Sequence, residues 1–157
     1  MKSLVLCACV LVLAFQPSSS TKLKQKLKNE IDNLRDNIEI CVFEQGLSPS
    51  DIYREEEIMT NVHTESVNAE KSRKFGCFVA CVLKKLNLMD GATIKEIQIH
   101  AKINKTVDHN MQDVAHKIAR KCLKKARSIT QECEKCFSLY VCIIENMHKL
   151  EGHEEHV

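Results

Sequence analysis

Residues 76–92 read GCFVACVLKKLNLMDGA, and how this stretch folds decides the rest. Cys77 and Cys81 stand four apart, one turn of a helix, so both lie on one face. Phe75, Phe78, Val79, Val82 and Leu86 recur at helical spacing around them, and the run predicts a helix over about Glu70 to Leu86 that Met89-Asp90-Gly91 ends. Two cysteines one turn apart cannot serve one another well. They predict a central helix stapled to two different neighbours.

The flanking segments carry the same period. Leu23, Leu27, Ile31, Leu34, Ile38 and Val42 follow in steps of three and four, ending at Gly46. Ser48-Pro49-Ser50-Asp51 then has the form of an N-cap with proline at the first helical position, opening a short helix through Ile52 and Ile58. Asn61 to Ala69 is polar and patternless and reads as a loop. Thr93 with Glu96 has capping-box spacing for a short helix holding Ile94, Ile97 and Ala101. Asp108 opens a longer one with Met111, Val114, Ala115, Ile118 and Cys122 inside. Ser128 with Gln131 has that spacing again, before a last helix carrying Cys133, Phe137, Tyr140, Val141, Ile144 and Met147. The expectation is an all-α fold of six helices, with no segment alternating well enough for a strand.

The chain opens MKSLVLCACVLVLAF. A lysine, an apolar run from Leu4 to Phe15, and then Pro17 and three serines have the layout of a secretory signal peptide, too short to span a bilayer, which needs about 20 apolar residues. Residues 1–20 are therefore expected to be removed, leaving residues 21–157 as one extracellular domain with no membrane insertion. The 23 basic and 21 acidic residues nearly cancel, which argues against nucleic acid as a partner. Lys117, Arg120, Lys121, Lys124, Lys125 and Arg127 form one local basic stretch, read as a solvated helix face.

Seven cysteines remain after residue 20: Cys41, Cys77, Cys81, Cys122, Cys133, Cys136 and Cys142. In a secreted chain that density reads as a disulfide framework with one cysteine to spare. Cys133 and Cys142 are half a rotation out of phase on one helix, so they too should hold different partners. Omitting Cys136, the gaps are 35, 3, 40, 10 and 8 residues. This spacing resembles the six-cysteine signature of the insect odorant-binding proteins, the gaps of 3 and 8 being its most specific parts. The segment GCFVACVLKKLNLMDGA is most similar to the pheromone-binding proteins of ants and other Hymenoptera, in which a long first gap is common.

The resemblance implies a fold of six helices around a closed apolar cavity, a carrier for a small hydrophobic ligand, and a chemoreceptor as a candidate partner. It implies the pairs Cys41–Cys81, Cys77–Cys133 and Cys122–Cys142. Closing loops of about 40, 56 and 20 residues is worth roughly 3–4 kcal/mol each, less in sum because the loops overlap. It further implies pocket positions at Leu83 and Leu88 after the third cysteine, Ala119 before the fourth, and Leu139 and Ile143 around the sixth. Leu83 stands where relatives often carry a serine that bonds a ligand hydroxyl. Tyr140 is the candidate polar handle. Cys136 is four residues before Tyr140 and seven before Ile143, on the expected pocket stripe, so a buried free thiol and a monomer are favoured over a Cys136-linked homodimer. Each of these positions is equally readable as ordinary core.

Catalytic motifs are missing from the sequence. There is no G-x-S-x-G, no H-E-x-x-H and no glycine-rich phosphate loop. Cys133-Glu134-Lys135-Cys136 has the C-x-x-C form without the strand–helix context of a redox site, and His153-Glu154-Glu155-His156 reads as a solvated tail. Neither an enzyme, a cofactor nor a metal is expected. The competing reading is a secreted effector on the same scaffold that acts through a protein partner.

Overall fold

The computed structural model describes residues 21–154; the expected signal peptide, residues 1–20, lies outside them. Six α-helices follow in order: α1 (Thr21–Glu44), α2 (Glu55–Met59), α3 (Ala69–Lys85), α4 (Glu96–Thr106), α5 (His109–Arg127) and α6 (Glu132–Glu154). No described helix is long and apolar enough to cross a membrane.

α3 is the axle. Phe75, Gly76, Phe78, Val79, Ala80, Cys81, Val82 and Leu83 are all buried, so its second half is apolar on every side, as a helix enclosed by neighbours must be. α6 lies along it in the broadest interface among the described helices. α1 covers another side through Leu34, Ile38, Cys41 and Val42, and α5 packs on α6. The side chains of Leu23, Leu27 and Ile31 lie outside the described residues. Three disulfides tie the set: Cys41–Cys81 joins α1 to α3, Cys77–Cys133 joins α3 to α6, and Cys122–Cys142 joins α5 to α6. Cys77 and Cys81 thus hold different neighbours.

The tightest approach is at Gly76. A Cβ there would run into the backbone carbonyl of Cys133 and crowd Cβ of Phe137, so only glycine lets α3 and α6 come together beside the Cys77–Cys133 bond, whose Cα atoms are 4.4 Å apart. Around this point sit Tyr53, His63, Phe75, Phe78, Phe137 and Tyr140, with Phe75 4.7 Å from Tyr140 and 5.9 Å from Tyr53 between ring centroids. Every described Phe and Tyr except Phe43 belongs to this cluster.

The helix ends follow local rules. At the end of α1, Gly46 has φ 58°, and N–H groups of Gly46 and Leu47 reach back to the carbonyls of Phe43 and Val42. Asn87 repeats this motif after α3 with φ 58°, its N–H on Lys84 and that of Leu88 on Leu83.

Five local expectations need correction. Ser48 and Asp51 do cap each other, the Ser48 N–H donating to the Asp51 carboxylate at 2.8 Å. Yet they close only a 3₁₀ turn over Pro49–Asp51; the chain then extends at Ile52 so that Tyr53 is wholly buried, and α2 starts afresh at Glu55. The segment 61–69 is not featureless, since two 3₁₀ turns occupy Val62–Thr64 and Ser66–Asn68. Thr93 caps nothing: Met89–Asp90 and Thr93–Ile94 form a two-residue antiparallel ladder, β1 and β2, turned by Gly91 at φ 55°, and Glu96 pairs with Arg127 instead. Ser128 ends α5 rather than opening α6, which begins at Glu132. The inner face of α4 also differs, with Ile99 and Ile103 buried while Ile97 is 81% exposed and Ala101 is exposed too.

Candidate functional site

Away from the aromatic cluster the helices diverge. α4, α5 and the C-terminal half of α6 enclose a half-open cavity of about 230 Å³. α4 contributes Ile99 and Ile103, with Val107 just beyond its end. α5 contributes a stepped face: Met111, Val114 and Ile118 project, while Ala115 and Ala119, one turn apart, recede. Leu123 lies at the end of this face, next to the Cys122–Cys142 bond. α6 supplies Leu139, Ile143, Met147 and Leu150. Met111 and Leu150 are more than a third exposed.

Every residue around the space is aliphatic or methionine. No aromatic ring reaches into it, and the small side chains of Ala115 and Ala119 leave room that the neighbouring aliphatics are too short to fill. No side chain around it carries a charge or a hydrogen-bonding group, so it has the character of a solvent for hydrocarbon. There is no nucleophile, acid or base here with which to do chemistry.

Of the positions singled out in the sequence, Ala119, Leu139 and Ile143 meet at this cavity. Leu83, Leu88, Cys136 and Tyr140 are buried elsewhere in the core. Cys136 and Tyr140 both stand near the stripe of α6 that carries Ile143, Cys136 lower on the helix and Tyr140 on the flank towards α3, while Leu139 beside Tyr140 reaches the cavity. The Tyr140 hydroxyl donates to the carbonyl of Tyr53 at 3.3 Å and its ring packs on Phe75, so it serves the aromatic cluster. Among the described residues Cys136 is the free cysteine, wholly buried, with its thiol 3.5 Å from the sulfur of Met89. Burial, and then the Glu132 carboxylate, push that thiol up to about 12, so it is inert as a nucleophile. With Cys133 bonded to Cys77, the C-x-x-C pair is split between two jobs. Leu83 and Leu88 are consumed in ending α3, Leu88 N–H bonding back to Leu83 at 2.8 Å.

Sequence reasoning missed the contribution of α4 and, apart from Ala119, that of α5. Two signals could have found them: Ala115 and Ala119 one turn apart, and the series Ile99, Ile103, Val107 in steps of four. The closed cavity implied by the resemblance is instead open on one side. Among the described residues, His148 to Glu154 prolong α6 rather than fold over it, with His148 bonded to Glu55 at 2.7 Å. The basic stretch on α5 is exposed throughout, Arg127 pairing with Glu96 and Lys121 bonding Asn146 at 2.9 Å. Asn104, within an Asn-Lys-Thr triplet, is exposed on the last turn of α4.

Comparison with known proteins agrees with this architecture. The chain is 26% identical over 144 residues to "Pheromone-binding protein Gp-9" of the ant Solenopsis electra, covering 92% of each chain. It is 25% identical to the protein of that name from Solenopsis geminata, with the same coverage. No solved structure matches the chain. The PBP/GOBP family matches residues 22–146, which takes in all six bonded cysteines and nearly all of the cavity wall. The chain, an all-α disulfide-bonded binding protein and not an enzyme, belongs to the PBP/GOBP family.

Proposed function

We propose that this protein is a secreted carrier that holds one small hydrocarbon-like molecule between α4, α5 and α6. The observation that supports this reading best is the composition of the cavity wall: thirteen residues, all aliphatic or methionine, around a space that the core does not fill. An apolar void of this kind has a cost that nothing in the fold requires, and a ligand repays it. The family match and the relatives named for pheromone binding point the same way. Residues 1–20 act as the signal peptide, and the three disulfides suit an oxidising compartment.

The lining also says what is selected. With no donor or acceptor to meet a buried hydroxyl or carbonyl, recognition rests on the length and shape of an alkyl chain, and any polar head belongs at the half-open side near Met111 and Leu150. Burying about 300 Å² of apolar surface is worth roughly 7 kcal/mol before the cost of association, so binding is no tighter than the micromolar range. A carrier that must also release its load works there.

The test is displacement of a fluorescent naphthylamine probe by alkanes, alkanols and alkyl acetates of graded length. The expected result is one displaceable site whose affinity climbs with chain length and changes little between head groups of equal length. Absence of any displaceable uptake overturns the carrier reading and favours an effector acting through a protein partner.

A further inference from the structure

His100 on α4 and His116 on α5 face one another across the helix pair that forms the cavity wall. Their Nδ1 atoms are 2.7 Å apart, and their rings stack at 4.9 Å between centroids with a 31° tilt. On its other side, His116 Nε2 lies 2.6 Å from Oδ1 of Asn104. An amide oxygen only accepts, so the proton of a neutral His116 sits on Nε2 and its Nδ1 carries a lone pair. His100 then donates from Nδ1 into that lone pair. Two half-buried imidazoles on separate helices are thereby aimed at one point, one of them with its tautomer already set.

We propose that His100 and His116 are the paired imidazole ligands of a transition-metal dication, of the Cu²⁺ or Zn²⁺ class, that bridges α4 and α5. Imidazole nitrogen suits these ions. Metal–nitrogen bonds of about 2.0–2.1 Å at a tetrahedral angle place two ligand nitrogens roughly 3.3 Å apart, so each ring need retreat only a few tenths of an ångström. Asn104 is the outer partner a ligating histidine requires, holding the distal N–H so that the near nitrogen faces the ion. The exchange balances without loss of a proton: His100 moves its hydrogen from Nδ1 to Nε2, and the ion takes the place of the shared hydrogen. Water fills the remaining positions.

The charges around the pair come from both helices. Glu96, one turn before His100, favours a cation, though Arg127 of α5 holds its carboxylate at 2.9 Å. Arg120, one turn after His116, opposes one. Burial, then His116 and Arg120, keep His100 below the ordinary imidazole range, so the ring is neutral and able to ligate at pH 7. Protons compete with a cation for ring nitrogens, so binding must weaken as the solution is acidified.

The experiment is calorimetric titration of the protein with Cu²⁺ and with Zn²⁺ at pH 7.5, with the copper site read by electron paramagnetic resonance. One equivalent should bind, Cu²⁺ more tightly than Zn²⁺, with nitrogen coupling from two imidazoles. Replacing the tail histidines together (His148→Gln, His153→Gln, His156→Gln) should leave that equivalent in place. His100→Ala and His116→Ala should each lower affinity by roughly a hundredfold, and Asn104→Ala by about 10- to 100-fold. Arg120→Gln, on the exposed side, should raise it. Loss of the tight equivalent in the tail variant overturns the proposal, as does unchanged affinity in folded His100→Ala or His116→Ala protein. Uptake of an alkyl probe is a separate readout, so this site and the carrier function stand or fall independently.

Discussion

Residues 133–140 and 143–150 are two stretches of one helix in contrasting surroundings. The first is bonded to α3 through Cys133, pressed against Gly76, and packs its Phe137 and Tyr140 rings on Phe75. The second presents Ile143, Met147 and Leu150 to an aliphatic-lined space that the side chains do not fill. One rod of regular structure thus joins a filled end to a hollow one. Concentrating aromatic contacts, the glycine approach and a disulfide in the first lets the second leave volume empty without endangering the fold. The division also explains why a hollow of this size survives in a chain with so little aromatic content.

Gly76→Ala strikes the filled end hardest. Its methyl group has no space before the Cys133 carbonyl, so the helices must separate beside a disulfide that prevents it; we expect a loss of about 3 kcal/mol or more in urea unfolding. A midpoint like the parent's would mean the two backbones are not in contact. A matched pair of alanines sharpens the contrast. Ala80→Leu, in the buried half of α3, should cost about 1–3 kcal/mol, whereas Ala119→Leu, beside the cavity, should cost less than about 1 kcal/mol, because its extra carbons enter empty volume. Only Ala119→Leu should weaken alkyl-probe uptake, by roughly tenfold, in line with lost space for about two methylenes. Equal stability losses at the two positions would erase the distinction between the ends.

Cys136→Ser should touch stability alone. A hydroxyl beside the Met89 sulfur is poorly paired, so about 1 kcal/mol of stability should go while probe affinity stays level, the cavity being elsewhere. The parent should run as a monomer in non-reducing electrophoresis and react slowly with iodoacetamide at pH 8. A dimer that reductant dissolves would show the thiol to be accessible.

Those same two ends mark where sequence reading succeeds. α3 and α6 have long stripes broken by glycine or polar turns, and the spacing of their cysteines carries the family resemblance, so their existence and the bonds between them were legible. α4 is harder. Ile94, Ile97 and Ala101 form one series at helical spacing, and Ile99, Ile103 and Val107 form another. Periodicity cannot choose between two apolar faces of one short helix. The choice is made by tertiary contacts, with Lys95 N–H bonded to Leu88 and Glu96 drawn to Arg127. A two-residue ladder leaves no alternation to read, so β1 and β2 were invisible. The site was half legible for a related reason. Helix phase groups Cys136 and Tyr140 with Ile143, but Tyr140 meets Phe75 while Leu139 beside it meets the cavity, and periodicity alone is silent on which flank and height face which neighbour.

The three disulfides join α1, α3, α5 and α6, and none reaches α4. Inheritance can therefore act on this helix alone. An allele that exchanges Ile99, Ile103 or Val107 for another aliphatic reshapes the cavity in one step, while oxidative folding proceeds through the same six cysteines. A lineage can alter this wall by rewriting the eleven residues of α4 and leaving the scaffold's gene text untouched.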